Sequence, residues 1–199
     1  MCVPTALKII RKSSFTAVAW KNGGGMTHEA LRVPAGGDAF LWRVSVAYID
    51  SSGPFSDFAG YRRNMVLLRG SGLTLKFDNG EQRVLQQVGD SAQFDGAMAT
   101  HCDLLDGPCV DLNLMVSNSV PAEARVVRLR KSLTLRSSPQ TALIFSIDAP
   151  LSLCGDGDKP VRLEPWDLAV VSNGTARLSR IEAGKLPTPC AVFFATISR

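Results

Sequence analysis

What most constrains this chain is a period of two. Across residues 40–48, Phe40, Trp42, Val44, Val46 and Tyr48 alternate with Leu41, Arg43, Ser45 and Ala47. Successive side chains of an extended strand point to opposite faces, so this pattern describes a strand with a different environment on each side. Residues 73–77 alternate in the same way. Asp78-Asn79-Gly80-Glu81 follows, and Asn-Gly supplies the positive φ of a tight hairpin turn. Residues 126–135, 142–147, 168–171 and 190–197 are further strand candidates, rich in Val, Ile, Leu and Phe. Gly, Pro, Asn and Asp punctuate them throughout. No long helical period occurs, and residues 119–124 offer one short turn at most. Many short strands between turn signals predict an all-β sandwich or barrel.

A weak internal repeat narrows this further. Met65-Val66-Leu67-Leu68 matches Leu143-Ile144-Phe145-Ser146. At the same offset Leu73-Thr74-Leu75 matches Leu151-Ser152-Leu153, Asp78-Asn79-Gly80-Glu81 matches Asp156-Gly157-Asp158-Lys159, and Leu85 matches Leu163. Asp90-Ser91-Ala92 matches Asp167-Leu168-Ala169 after a slip of one residue. Strand, hairpin, strand and turn recur in one order, which predicts two copies of a small β-barrel unit. The expected halves are residues 1–118, carrying the ligand site, and 119–199. Strands are free to exchange between them, and 1–199 also reads as a single domain.

Composition excludes several classes. The 199 residues carry 22 basic and 18 acidic side chains, a net charge of +4, which demands no polyanionic partner. Arg128-Leu129-Arg130 is better read as a solvated strand face than as a nucleic-acid surface. No stretch approaches the ~20 apolar residues that span a bilayer. Lys8, Arg11 and Lys12 interrupt what would be the apolar part of a leader, so a cytoplasmic location is expected. Five cysteines, Cys2, Cys102, Cys109, Cys154 and Cys190, form no C-x-x-C pair and read as thiols in a reducing compartment. The two histidines, His28 and His101, are far apart. No metal site and no cofactor are expected.

Four segments carry unusual polar chemistry. In Trp20-Lys21-Asn22-Gly23-Gly24-Gly25-Met26-Thr27-His28-Glu29 three glycines in a row answer either a close backbone approach or a flexible turn, and no P-loop order is present. In Trp42-Arg43-Val44-Ser45-Val46-Ala47, Arg43 and Ser45 share a face. That face points to water in a sandwich, or into the lumen of a barrel, where a buried guanidinium suits a carboxylate ligand. Gly53-Pro54-Phe55-Ser56-Asp57-Phe58-Ala59-Gly60-Tyr61-Arg62-Arg63 is a shaped loop, either one wall of a pocket for a planar anion or a plug in a barrel end. In Asp106-Gly107-Pro108-Cys109-Val110-Asp111-Leu112-Asn113-Leu114-Met115 a turn leads into a strand, where Asp111 and Asn113 share a face and need partners, from a ligand or from the protein. No recognisable nucleophile elbow or reactive-cysteine setting is present.

Taken in this order, the segments resemble the HutD/Ves family of cupin-like proteins. The resemblance rests on Trp20-Lys21-Asn22-Gly23-Gly24-Gly25 with Thr27 and Glu29, Trp42-Arg43-Val44-Ser45 with Ala47, and Gly53-Pro54-Phe55-Ser56 with Phe58, Gly60 and Arg63. Gly70, Gly72, Leu73, Phe94, Gly96, Asp111 and Asn113-Leu114-Met115 complete it. His28 stands where the family pattern has Arg, and Arg62 where it has Asp. The resemblance implies a cupin-like double-stranded β-helix with two related barrel halves, and an auxiliary or regulatory association with bacterial histidine catabolism. It leads to an expected metal-independent site for a small anionic or polar metabolite, such as urocanate or a formyl- or formiminoglutamate. Asn22, Thr27, Glu29, Arg43, Ser45, Phe55, Arg63 and Asn113 are its expected ligand-binding residues. If the chain is instead a metal-free cupin-like enzyme, Glu29 and Asp111 are the candidate general bases. A structural or protein-binding module is the third reading. No nucleic acid and no membrane are expected as partners, while exposed edge strands admit a homodimer.

Overall fold

The computed structural model describes residues 6–20, 25–37, 39–154, 159–180 and 189–198. Asn22, and with it Lys21, Gly23 and Gly24 of the glycine-rich segment, lies outside the described residues. So do residues 156–158 of the second hairpin repeat. The described residues form β-strands and one 3-10 turn, Lys12–Ser14, with no α-helix among them and none that could cross a membrane.

The first described strand is β1 (Ala6–Ile10). Then follow β2 (Thr16–Ala19), β3 (Gly25–Val33), β4 (Trp42–Ile49), β5 (Gly53–Pro54), β6 (Tyr61–Arg69), β7 (Leu73–Phe77), β8 (Gln82–Leu85), β9 (Ser91–Asp95), β10 (Thr100–Leu104) and β11 (Cys109–Ser117). The remainder of the chain gives β12 (Ala122–Leu129), β13 (Ser132–Ser146), β14 (Leu151–Cys154), β15 (Val161–Leu163), β16 (Leu168–Arg180) and β17 (Cys190–Ile197). The chain divides into two compact units, Phe15–Val120 on one side and Met1–Ser14 with Pro121–Arg199 on the other. The expected division gave residues 1–118 to one half. In the structure β1 instead pairs antiparallel with β16, Ile10 opposite Leu168, and so belongs with the later strands. Residues 126–135, expected as one strand, are broken after Leu129 into β12 and β13.

The Phe15–Val120 unit holds two antiparallel sheets, one ordered β2-β3-β4-β11-β6-β9 and one ordered β5-β10-β7-β8. Between them pack Ile49, Met65, Leu67, Leu73, Leu75, Leu85, Phe94 and Cys102, drawn from both sheets. Burying such side chains contributes about 1.5–3 kcal/mol each before conformational entropy is counted. In the other unit, β12-β17-β13-β16-β14-β15 form one sheet with β1 on β16. Its interior is filled by Ile144, Leu151, Leu153, Leu163, Val171, Val192 and Phe194.

The internal repeat is real in the pairing. Leu73 faces Leu85 across β7–β8, and Leu151 faces Leu163 across β14–β15. Met65 faces Ala92 across β6–β9, whereas Leu143 faces Val170, one residue past the matched Ala169, across β13–β16. The one-residue slip sits in the turn before the last strand. There Asp90 N donates to Gln87 O (2.8 Å) and Asp167 N to Glu164 O (3.0 Å). Each aspartate follows a residue of positive φ, Gly89 in one copy and Trp166 in the other. A tryptophan there carries about 1–2 kcal/mol of steric strain that glycine avoids.

Candidate functional site

Two neighbour-to-neighbour rules build the site. Alternation fixes which side chains share a face, and register fixes which of them stand abreast. On the inner face of the six-stranded sheet, Thr27, Ala47, Asp111 and Leu67 form one row across β3, β4, β11 and β6. Glu29, Ser45, Asn113 and Met65 form the next. Arg43, Met115 and Arg63 form the third, with Phe94 beyond Arg63 on β9. The polar ends of these rows open into a cavity of about 620 Å³ within the unit, with Arg43, Ser45, Arg63, Asp111 and Asn113 in its lining.

Strict alternation would send Arg32 to the opposite face from Glu29. A bulge at Ala30 inserts one extra residue between Glu29, opposite Ser45, and Leu31, opposite Val44. Arg32 therefore stands abreast of Arg43 and lines the cavity. Its guanidinium meets Glu29 Oε2 at 3.0 Å and donates to Gly37 O at 2.6 Å.

The loop between β5 and β6 closes one wall. Phe55 N donates to Thr100 O (2.9 Å) and Phe58 N to Gly96 O (2.9 Å). Gly96 permits this approach, since a Cβ there would stand 2.4 Å from Phe58 O and 2.8 Å from Tyr61 O. A second close approach sets the rim. A Cβ on Gly25 would stand 2.2 Å from Tyr48 O and 3.2 Å from the Trp20 ring. Trp20 is held there by donating Nε1–H to Thr27 Oγ1 at 2.7 Å, and it meets Phe55 edge-on with ring centres 6.2 Å apart.

The two central arginines are held by rings. Arg63 lies 5.0 Å from the ring centres of Phe55 and Phe94 and 5.7 Å from that of Phe58. Arg43 lies 5.2 Å from Phe40 and 5.2 Å from Phe58, with Nη2 donating to Met115 Sδ at 3.4 Å. Ring faces stabilise a cation without occupying its N–H groups. Among the described residues neither arginine has an ion pair. Burial lowers the pKa of both, Arg63 to about 10 against the opposing pull of Asp111. Asp111 is pushed up to about 7 by burial, which the charge of Arg63 only partly offsets.

Among the described residues, four buried atoms here have no hydrogen-bond partner: Arg43 Nε, Arg63 Nε, Asp111 Oδ1 and Asn113 Oδ1. Arg63 and Asn113 are 5% exposed and Asp111 1%. An unsatisfied buried group costs about 1–3 kcal/mol, more when charged, so a cluster of four in one cavity makes it the candidate site.

Thr27, Glu29, Arg43, Ser45, Phe55, Arg63 and Asn113, with the alternative base Asp111, thus all line one cavity. The sequence reading did not single out Arg32, Trp20, Phe58 or Met115 as site residues. Trp20, Phe58 and Met115 belong to the motifs already quoted, while the bulge that admits Arg32 has no signature in the sequence. His28 and Arg62 are outside the lining. The His28 ring packs 4.9 Å from Tyr48, and Arg62 Nη2 donates to Val120 O at 2.7 Å. Among the described residues no three His, Cys, Asp or Glu side chains gather as ligands for a metal ion.

Comparison with known proteins places the chain in context. It matches the HutD family model over residues 12–187. It is 35% identical over 162 residues to an uncharacterised 21.2 kDa protein in the hutC 3′ region of Pseudomonas putida, covering 81% of this chain and 84% of that protein. A conserved protein of unknown function from Pseudomonas aeruginosa PAO1 superposes with a TM-score of 0.87 at 30% identity, over 98% of this chain and 100% of that one. HutD from Pseudomonas fluorescens SBW25, in a formate condition, superposes at 0.79 and 30% identity over the same shares. In fold alone, a cupin 2 conserved barrel domain protein from Leptotrichia buccalis is similar, with a TM-score of 0.56 at 11% identity over 96% of each chain.

Proposed function

The chain belongs to the HutD family, and from that premise we propose that it binds a small carboxylate metabolite, without a metal, in the cavity of its Phe15–Val120 unit. The observation that supports this reading is the set of four buried polar atoms without a partner among the described residues, two of them on arginines that form no ion pair there. Three guanidiniums face the cavity, and Arg32 is already paired with Glu29. Arg43 and Arg63 remain to receive an anion, and the guanidinium fork matches a carboxylate. The hutC 3′ position of the Pseudomonas putida relative links the family to histidine utilisation. The candidate ligands are therefore urocanate, formylglutamate and formiminoglutamate, sensed or buffered in an auxiliary or regulatory role.

The test is the melting temperature of the purified chain with each compound at millimolar concentration. A ligand present at about 100 times its Kd adds about 2.7 kcal/mol, a shift of several degrees. Arg63→Met should remove the shift while leaving the unliganded protein as stable or more so, because an unpaired buried charge is gone. No shift with any of the three overturns the proposal.

An enzymatic reading has one observation in its favour. The Asp111 carboxyl, at about 7, is poised between acid and base at neutral pH. Glu29 is the other candidate base and is tied to Arg32. Turnover of a pathway intermediate, lost in Asp111→Asn or Glu29→Gln, would decide for it. A purely structural module calls for an interior lined by apolar side chains alone, and this lining includes Glu29, Arg43, Arg63, Asp111 and Asn113.

A further inference from the structure

The arginines account for only half of the unsatisfied atoms. The other two, Asp111 Oδ1 and Asn113 Oδ1, are acceptors, and a carboxylate offers them nothing. Their placement is ordered. Asp111, Asn113 and Met115 follow one another on the same face of β11, and Arg43 and Arg63 flank Met115 on β4 and β6. Same-face residues of a strand are about 7 Å apart, and neighbouring strands about 4.8 Å. The floor is therefore graded along β11. Donors stand at one end, an acceptor about 7 Å further along the backbone, and a second acceptor about 7 Å beyond it.

We propose that the occupant of this cavity is a carboxylate that also carries an N–H donor group, its anionic end over Arg43 and Arg63 and its N–H end accepted by Asn113 and Asp111. This rests on the carboxylate reading above and extends it to orientation and ligand class. Amide, amidine and imidazole N–H groups fit best. Such an N–H presents a hydrogen in a fixed direction with no lone pair in need of a partner of its own, whereas a hydroxyl brings two acceptor sites into a floor already short of donors. A cationic N–H gains further from an ionised Asp111, because hydrogen bonds between charged partners are roughly twice as strong as neutral ones. A purely structural Asp111 would be expected to pair with Arg63, one strand away, yet among the described residues the two form no ion pair and Asp111 Oδ1 and Arg63 Nε lack partners.

The test is calorimetric titration of the full chain with matched probes. Urocanate is compared with 3-(1,3-oxazol-4-yl)acrylate, in which the other ring nitrogen is kept and a ring oxygen replaces the N–H. N-formyl-L-glutamate is compared with O-formyl-2-hydroxyglutarate, in which an ester oxygen does so. The expected result is a preference of about 10-fold or more for the N–H member of at least one pair, since a site that hydrogen-bonds its ligand rejects the analogue lacking that group. Asp111→Leu and Asn113→Leu, checked for native fold by circular dichroism, should each compress that ratio toward one. Equal binding of both members in both pairs overturns the N–H inference and leaves the carboxylate site standing. The same holds for a ratio that survives in both folded variants. If no probe binds at all, the carboxylate reading fails, and this inference with it. The wild-type comparison decides even if neither variant folds.

Discussion

Asp111 carries the clearest electrostatic signature in the molecule. It is buried on the inner face of β11, and its carboxyl is pushed from the ordinary carboxylate range up to about 7. Burial pushes it up, and the charge of Arg63, which favours the ionised form, pulls against that. A carboxyl whose pKa is raised by folding contributes stability at pH values below its unfolded pKa and loses it as pH rises through the folded one. The unliganded protein should therefore lose stability between about pH 4 and pH 7, by up to a few kcal/mol from this group. Asp111→Asn, which cannot ionise, should flatten that part of the profile, as read from urea midpoints at pH 5 and pH 8. A profile unchanged by the substitution would mean that Asp111 ionises freely in the fold. Much of this site was legible one residue at a time. The alternation of Arg43, Ser45 and Ala47 against Trp42, Val44 and Val46 described a strand with two environments, and Asp111 with Asn113 described another. Arg32 was not legible, because an inserted residue leaves the spacing of side chains in the sequence untouched and changes only the face they occupy.

The elements show where local signals suffice. The hairpin read from Asp78-Asn79-Gly80-Glu81 connects β7 to β8, and the repeat read from scattered Leu and Asp matches reappears as equal register in two pairs of strands. The pairing of β1 was not readable, because it joins residues more than 150 positions apart and depends on the polar lock that follows the strand. Arg11 Nη1 meets Asp167 Oδ2 at 2.6 Å, and the backbone N–H groups of Lys12 and Glu164 donate to the same carboxylate at 3.0 Å each. Asp167 thus fastens β1 at one end and the turn before β16 at the other. Asp167→Ala leaves these donors without their acceptor and should destabilise the protein by about 2–4 kcal/mol. Hydrogen exchange of the β1 amides should rise most. If β1 exchanges no faster than in the wild type, the lock is not what holds it. Asp90 performs the corresponding task in the other copy for Gln86 and Gln87 alone, with no arginine, so Asp90→Ala should be milder.

At the scale of the whole molecule, the hairpin register of β7 and β8 recurs in β14 and β15, while the described interiors of the two units differ. The later strands and β1 enclose an apolar core, while the Phe15–Val120 unit combines an apolar core with a charged cavity. Ligand should therefore act unevenly. Hydrogen exchange with and without urocanate is expected to slow in β3, β4, β6 and β11 and to be unchanged in β14 and β15; protection spread equally over both units would contradict a site confined to one. The four unpartnered atoms of that cavity have a further consequence beyond recognition. A fold that leaves them open is less stable than it needs to be, and an occupant that closes them completes the interior as a missing side chain would. The fraction of molecules unfolded at any moment then falls as the occupant becomes plentiful, and proteases meet fewer of them. On the proposed reading, the amount of this protein that survives in a cell would itself keep a running account of its ligand.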